Sequence, residues 1–116
     1  MTDSRPRILD ELTSTIASRK ANPSTKSYTT SLLSEGLPVI GAKIVEEAAE
    51  LVEAAHEPGG DGRAHLVHEA ADLVYHLLVL LAYKDLSLSD LEAELGARFG
   101  RSGLEEKASR KDRSES

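Results

Sequence analysis

The chain has no cysteine and no tryptophan, one methionine and four aromatic residues, Tyr28, Tyr75, Tyr83 and Phe99. Without cysteine there are no disulfides, no thiol nucleophile and no zinc-thiolate site. With so few rings, the core must be built from leucine, valine and alanine, which suits close helix packing. Long apolar runs are also missing. The longest, Leu77 to Tyr83, is too short to span a bilayer, and the first twenty residues are charged throughout, unlike a signal sequence. A soluble, cytoplasmic protein with no membrane partner is expected. Positive charge is scarce too: the net charge is −6 over 116 residues, which argues against a general nucleic-acid partner. No phosphate-cradling glycine loop and no strand alternation of useful length occurs.

What is present is helical periodicity. A first helix is expected from Pro6 to about Lys20, carrying Ile8, Leu9, Leu12 and Ile16 at helical spacing. Ser27 to Leu33 reads as a short helix closed by Gly36. Pro38 is placed to open a long helix running to about Glu57. Pro58-Gly59-Gly60-Asp61-Gly62 reads as a turn, followed by a second long helix from about Arg63 to Lys84. Ser87 with Asp90 resembles a capping box and opens a last helix from about Leu88 to Phe99. Residues 1–111 are expected to form a single all-α domain, with 112–116 frayed.

The two long helices carry Glu46-Glu47-Ala48-Ala49-Glu50 and Glu69-Ala70-Ala71-Asp72. Residues three apart share a helix face, so Glu47 pairs with Glu50 and Glu69 with Asp72. On a helical wheel Glu47 lies at the margin of an apolar arc containing Ile40, Ile44, Ala48, Leu51 and Val52. Glu69 and Asp72 border the matching arc of the second helix. Each pair should therefore sit where an apolar face meets solvent. If the helices pack antiparallel, four carboxylates face one another. Two such charges about 4 Å apart repel by about 4 kcal/mol at an effective dielectric near 20, which a cation would relieve. The all-oxygen set favours a hard ion, Mg²⁺ or Mn²⁺.

A lone Glu-x-x-Glu is usually a solvated helix surface; two such pairs on consecutive helices, with Lys43 the only cation on the first stripe, put a metal site on equal footing with that reading. A di-iron arrangement would need Glu-x-x-His on two helices. Only Glu53-x-x-His56 fits, on an outer face. His56, His65, His68 and His76 are expected chiefly as partly exposed helix residues, with support of the ligands as the alternative role for His65 and His76, which share the acidic stripe. Apolar positions spread over about 160° of each long helix, more than one partner covers. A homodimer forming a four-helix-type bundle is therefore expected.

Glu-Glu-x-x-Glu followed by Glu-x-x-Asp on the next helix resembles the all-α, MazG-like nucleotide pyrophosphohydrolases. Within them the chain resembles the phosphoribosyl-ATP pyrophosphohydrolase family. The similarity extends through Ser27-Tyr28-Thr29 with Leu32, Leu33 and Gly36, and Lys43-Ile44-Val45-Glu46-Glu47. It continues through Glu69 to Leu81, Leu86-Ser87-Leu88 and Ser102 to Arg110. Val45 stands where family members commonly have glycine, a departure that leaves the carboxylates intact.

The resemblance implies hydrolysis of phosphoribosyl-ATP between its α- and β-phosphates, giving phosphoribosyl-AMP and pyrophosphate, the second step of histidine biosynthesis. It implies Glu47, Glu50, Glu69 and Asp72 as Mg²⁺ ligands and Glu46 as the acceptor of a water proton, against a plain solvated role. Lys43 would meet a phosphate or a neighbouring carboxylate. Tyr28 would line the cleft or serve the fold. Lys107 and Arg110 would close over the substrate or form an exposed basic tail. The alternatives are a general nucleoside triphosphate pyrophosphohydrolase and a noncatalytic helical module whose acidic stripe binds a basic partner.

Overall fold

The computed structural model describes residues 7–99, which form five helices: α1 (Ile8–Ala21), α2 (Tyr28–Glu35), α3 (Leu37–Ala55), α4 (Gly59–Tyr83) and α5 (Leu88–Phe99). The expected class is thus observed: the protein is all-α, and no strand occurs among the described residues. The helices fall into two compact units divided between Leu86 and Ser87.

In the first unit α3 and α4 are the principal packed pair, and α1 and α2 lie against them. Only His56 to Pro58 separates α3 from α4, so the two run antiparallel. Ile16, Leu32, Ile40, Ala54, Leu78 and Val79 are buried, one or two from each helix. These aliphatic positions realise the core expected of a chain poor in rings.

Local signals explain most boundaries. The Ser27 hydroxyl accepts from the Thr30 amide at 3.1 Å and caps α2. Gly36 ends α2 and opens α3 at φ +82°, a conformation that favours glycine. A Cβ there would also lie 3.2 Å from the Tyr83 hydroxyl. In the second unit, the Ser87 amide donates to Asp90 Oδ2 at 2.9 Å, forming the expected cap of α5.

One boundary differs from expectation. The glycine-rich segment is not a five-residue turn, because α4 already begins at Gly59 with Pro58 as its N-cap. The reversal takes only three residues because Gly62 lets the Glu57 carbonyl press against the first turn. A Cβ at Gly62 would sit 2.3 Å from that oxygen.

The first turn also lengthens α4. By length and composition the helix could cross a membrane, although the uninterrupted apolar run within it is short. Its Glu69 and His76 are nevertheless buried inside the unit. Val67 and Val74, seven residues apart, face outward, as do Val45 and Val52 on α3.

Candidate metal centre

The centre lies in the middle of the α3–α4 pair. α3 is held there by its apolar side and by Pro38 in its first turn, and α4 by the tight corner at Gly62. Glu47, Glu50 and Glu69 each offer an oxygen, and these three atoms lie within 4.8 Å of one another. Asp72 belongs to an overlapping group with Glu69 and His68, again within 4.8 Å, and its carboxylate lies 3.4 Å from His68 Nε2. The expected quartet is therefore two triplets hinged on Glu69.

Glu47 and Glu69 are deeper than the helical wheel implies. They are 8% and 7% exposed, between the helices and not at the border of an apolar face. Glu47 Oε2 and Glu69 Oε2 are buried without a hydrogen-bond partner. Orphaned buried carboxylate oxygens are costly. Carried on facing helices beside the Glu47–Glu50–Glu69 group, they fit an oxygen-seeking divalent cation. Glu47, Glu50 and Glu69 would hold it, with Asp72 on its α4 side. Mg²⁺ takes few protein oxygens and completes its shell with water and phosphate, which suits three convergent carboxylates.

Ionisation within the cluster is uneven. Burial, contact with Glu69 and the charges of Asp72, Glu50 and Glu69 push Glu47 up to about 7. Glu50 is raised as well, first by its contact with Glu69 and then by desolvation. Glu69 moves the other way. Burial alone would raise it, but hydrogen bonds shared with Glu47, Glu50 and His65 outweigh burial and hold its carboxyl below the ordinary range. A carboxyl can bond a carboxylate only by lending its proton, so the cluster as a whole retains a proton that Glu47 and Glu50 share against Glu69.

Two histidines support the site. His65 Nδ1 lies 2.7 Å from Glu57 Oε2 and its Nε2 lies 3.1 Å from Glu69 Oε1. The Glu57 contact, outweighing partial desolvation, raises the imidazole, and Glu69 adds to the effect. The ring thus bridges the α3–α4 corner to the cluster. His76 donates from Nδ1 to the Asp72 carbonyl at 2.8 Å. That leaves Nε2 to accept the Tyr28 hydroxyl at 3.2 Å. Tyr28 stacks on Tyr75 with centroids 6.2 Å apart, and Tyr75 contacts the Thr29 hydroxyl, forming an aromatic patch beside the acidic cluster.

The remaining expected site residues lie outside the triplets. Glu46 is exposed and 3.9 Å from Lys43 Nζ, but its charge is close enough to act on Glu50. Lys43 is half-buried beside it. Tyr28 reaches His76, not a carboxylate. Lys107 and Arg110 lie outside the described residues. The Glu57–His65–Glu69 bridge was missed by sequence reasoning. Its one signal was His65, placed four residues before Glu69.

Comparison with known proteins gives a consistent picture. The family described as Phosphoribosyl-ATP pyrophosphohydrolase matches residues 9–99. A protein of Rhodopirellula baltica named phosphoribosyl-ATP pyrophosphatase is 51% identical over 88% of this chain and 85% of its own length. One of the same name from Paracoccus denitrificans is 50% identical over 96% of this chain and all of its own length. A third, from Geotalea daltonii, is 46% identical over 89% of this chain and 94% of its own.

Proposed function

The chain belongs to the phosphoribosyl-ATP pyrophosphohydrolase family, and we propose that it hydrolyses phosphoribosyl-ATP to phosphoribosyl-AMP and pyrophosphate, the second step of histidine biosynthesis. The observation that supports this most directly is the meeting of Glu47, Glu50 and Glu69 on facing helices, with a buried unpartnered oxygen on each of Glu47 and Glu69. Mg²⁺, or Mn²⁺ in its place, would be held by Glu47, Glu50, Glu69 and Asp72, where it would neutralise phosphate charge. In the reaction a water oxygen bonds to a phosphorus of the α,β-anhydride and the bridging P–O bond breaks. Glu46 takes the water's proton. Glu46 stands one turn before Glu50, exposed and 3.9 Å from Lys43 Nζ, which suits a group that must reach a water above the cluster. Lys43, on the same side of α3, balances charge on the departing phosphate. Such displacements depend chiefly on positioning and electrostatics.

Residues 1–111 act as one pyrophosphohydrolase domain, a reading supported by the family match through residue 99. The active form is a cytoplasmic homodimer, supported by the outward valines of α3 and α4. Lys107 and Arg110, which lie outside the described residues, are assigned to substrate binding on the family resemblance alone. The decisive assay is pyrophosphate release from phosphoribosyl-ATP with Mg²⁺ and with chelator, beside a panel of nucleoside triphosphates. Metal-dependent release with preference for phosphoribosyl-ATP is expected. Equal or better turnover of the panel would replace this reading with a general nucleotide pyrophosphohydrolase.

A further inference from the structure

A concavity lies near the far end of α4. Arg19, Lys20, Thr30, Leu33, Ser34 and Tyr83 border a cavity of about 350 Å³. Its wall combines two cations and three hydroxyls with the apolar surfaces of Leu33 and Pro23, a lining that can hold a phosphorylated sugar. Lys20 is partly committed, donating to the Ala82 carbonyl at 2.7 Å and pairing with Asp85. No carboxylate among the described residues pairs with Arg19. The cavity's cationic character therefore rests chiefly on Arg19.

Its position along α4 is informative. Tyr83 follows Asp72 by eleven residues (83 − 72), a rise of about 16 Å with a net rotation of about 20°. His76 lies between them on the same stripe, with Tyr28 and Tyr75 packed against it. One side of α4 thus leads from the acidic cluster, past an aromatic patch, to a residue of the cationic cavity. Phosphoribosyl-ATP has a matching order: polyphosphate, ribose, purine, second ribose and a phosphomonoester.

We propose that the cavity receives the phosphomonoester and pentose of the N1-linked phosphoribosyl group, with Arg19 as its anion-binding residue. The purine then lies at Tyr28, Tyr75 and His76, and the anhydride at the acidic cluster. This assignment rests on the proposed activity and specifies how that site selects its substrate. ATP fills only the first two places and leaves Arg19 without an anion, whereas phosphoribosyl-ATP fills all three.

The test is steady-state kinetics on the full chain and its Arg19→Ala variant, with ribose 5-phosphate as a probe. KM for phosphoribosyl-ATP should rise at least about tenfold, about 1.4 kcal/mol, with kcat within about twofold because the anhydride lies elsewhere. Ribose 5-phosphate should compete in the wild type, and its inhibition constant should rise by a similar factor in the variant. Arg19→Lys should recover part of the loss, since it keeps the charge but not the planar fork. An unchanged KM, or a fall in kcat alone, overturns the assignment. An unaltered thermal shift with Mg²⁺ shows that the variant's acidic cluster is intact. If Arg19→Ala fails to fold, Ser34→Phe fills the cavity from α2 and carries the same expectation. If the wild type does not turn over phosphoribosyl-ATP, the activity reading fails by itself. Calorimetry with ribose 5-phosphate then still reads the cavity: weaker binding to Arg19→Ala supports it, and equal or absent binding overturns it.

Discussion

Glu47 is buried between two helices with a carboxyl that keeps its proton up to about 7, so glutamine there imitates its protonated form. Glu47→Gln should lower hydrolysis at least about a hundredfold, the scale of losing a principal charge-stabilising group. Its melting temperature in chelator above neutral pH should match or exceed that of the wild type, because a buried charge is gone. The Mg²⁺-induced shift should vanish, as calorimetric melting with and without the ion would show. The pH dependence follows from the same group. Its native value of about 7 exceeds the ordinary 4.5, so the folded state holds the proton more tightly. That contribution to stability is complete below about 4.5 and is lost as pH rises through about 7. Glu50 is shifted in the same direction and Glu69 in the opposite one; the raised pair sets the slope. The urea midpoint of chelated protein should therefore fall between about pH 5 and about pH 8, and saturating Mg²⁺ should flatten the fall. A midpoint equally flat in chelator would contradict the buried, coupled cluster. The convergence of Glu47, Glu50 and Glu69 was legible from their spacing, but the depth of Glu47 and Glu69 was not. A wheel drawn for one helix cannot know which sector its neighbour covers, and α4 covers the sector holding Glu47.

Helix boundaries were legible where a side chain announces them. Ser27, Gly36, Pro38 and the Ser87–Asp90 pair each mark an end that the backbone respects. Removing the first hydroxyl, Ser27→Ala, should cost about 1 kcal/mol in chemical denaturation. The start of α4 was misread because glycines punctuate turns more often than they open helices. Here the decisive cause is a close approach in three dimensions, the Glu57 carbonyl against Gly62. The same corner brings Glu57 to His65, eight residues apart across a helix break, which periodicity cannot reveal. Gly62→Ala forces a methyl into a backbone oxygen, and its cost should reach the upper part of the about 1–3 kcal/mol range for overpacking, or more. Displacing the corner should also loosen His65 from Glu69. The variant should then need more Mg²⁺ for half-maximal activity, measured in the same pyrophosphate assay.

Over the whole first unit, polar and apolar surfaces are distributed unevenly. Two carboxylates are buried while Val45 and Val67 remain 72% and 69% exposed. The breadth of the apolar arcs indicated in advance that one chain has more aliphatic surface than it can cover, though not which residues would be left over. Val45 with Val52, and Val67 with Val74, form two outward stripes at seven-residue spacing, the repeat that helix-on-helix packing uses. In the proposed homodimer these stripes meet their copies. Val52→Asp should yield a monomer by sedimentation, with α3 and α4 still helical by circular dichroism. Deleting residues 101–116 tests the tail separately: retained full activity would remove Lys107 and Arg110 from the substrate site. The uncovered valines also tie durability to abundance. A fold whose last dry layer comes from its twin melts at a temperature that climbs with concentration, so simple dilution should weaken it without any change of solvent or sequence.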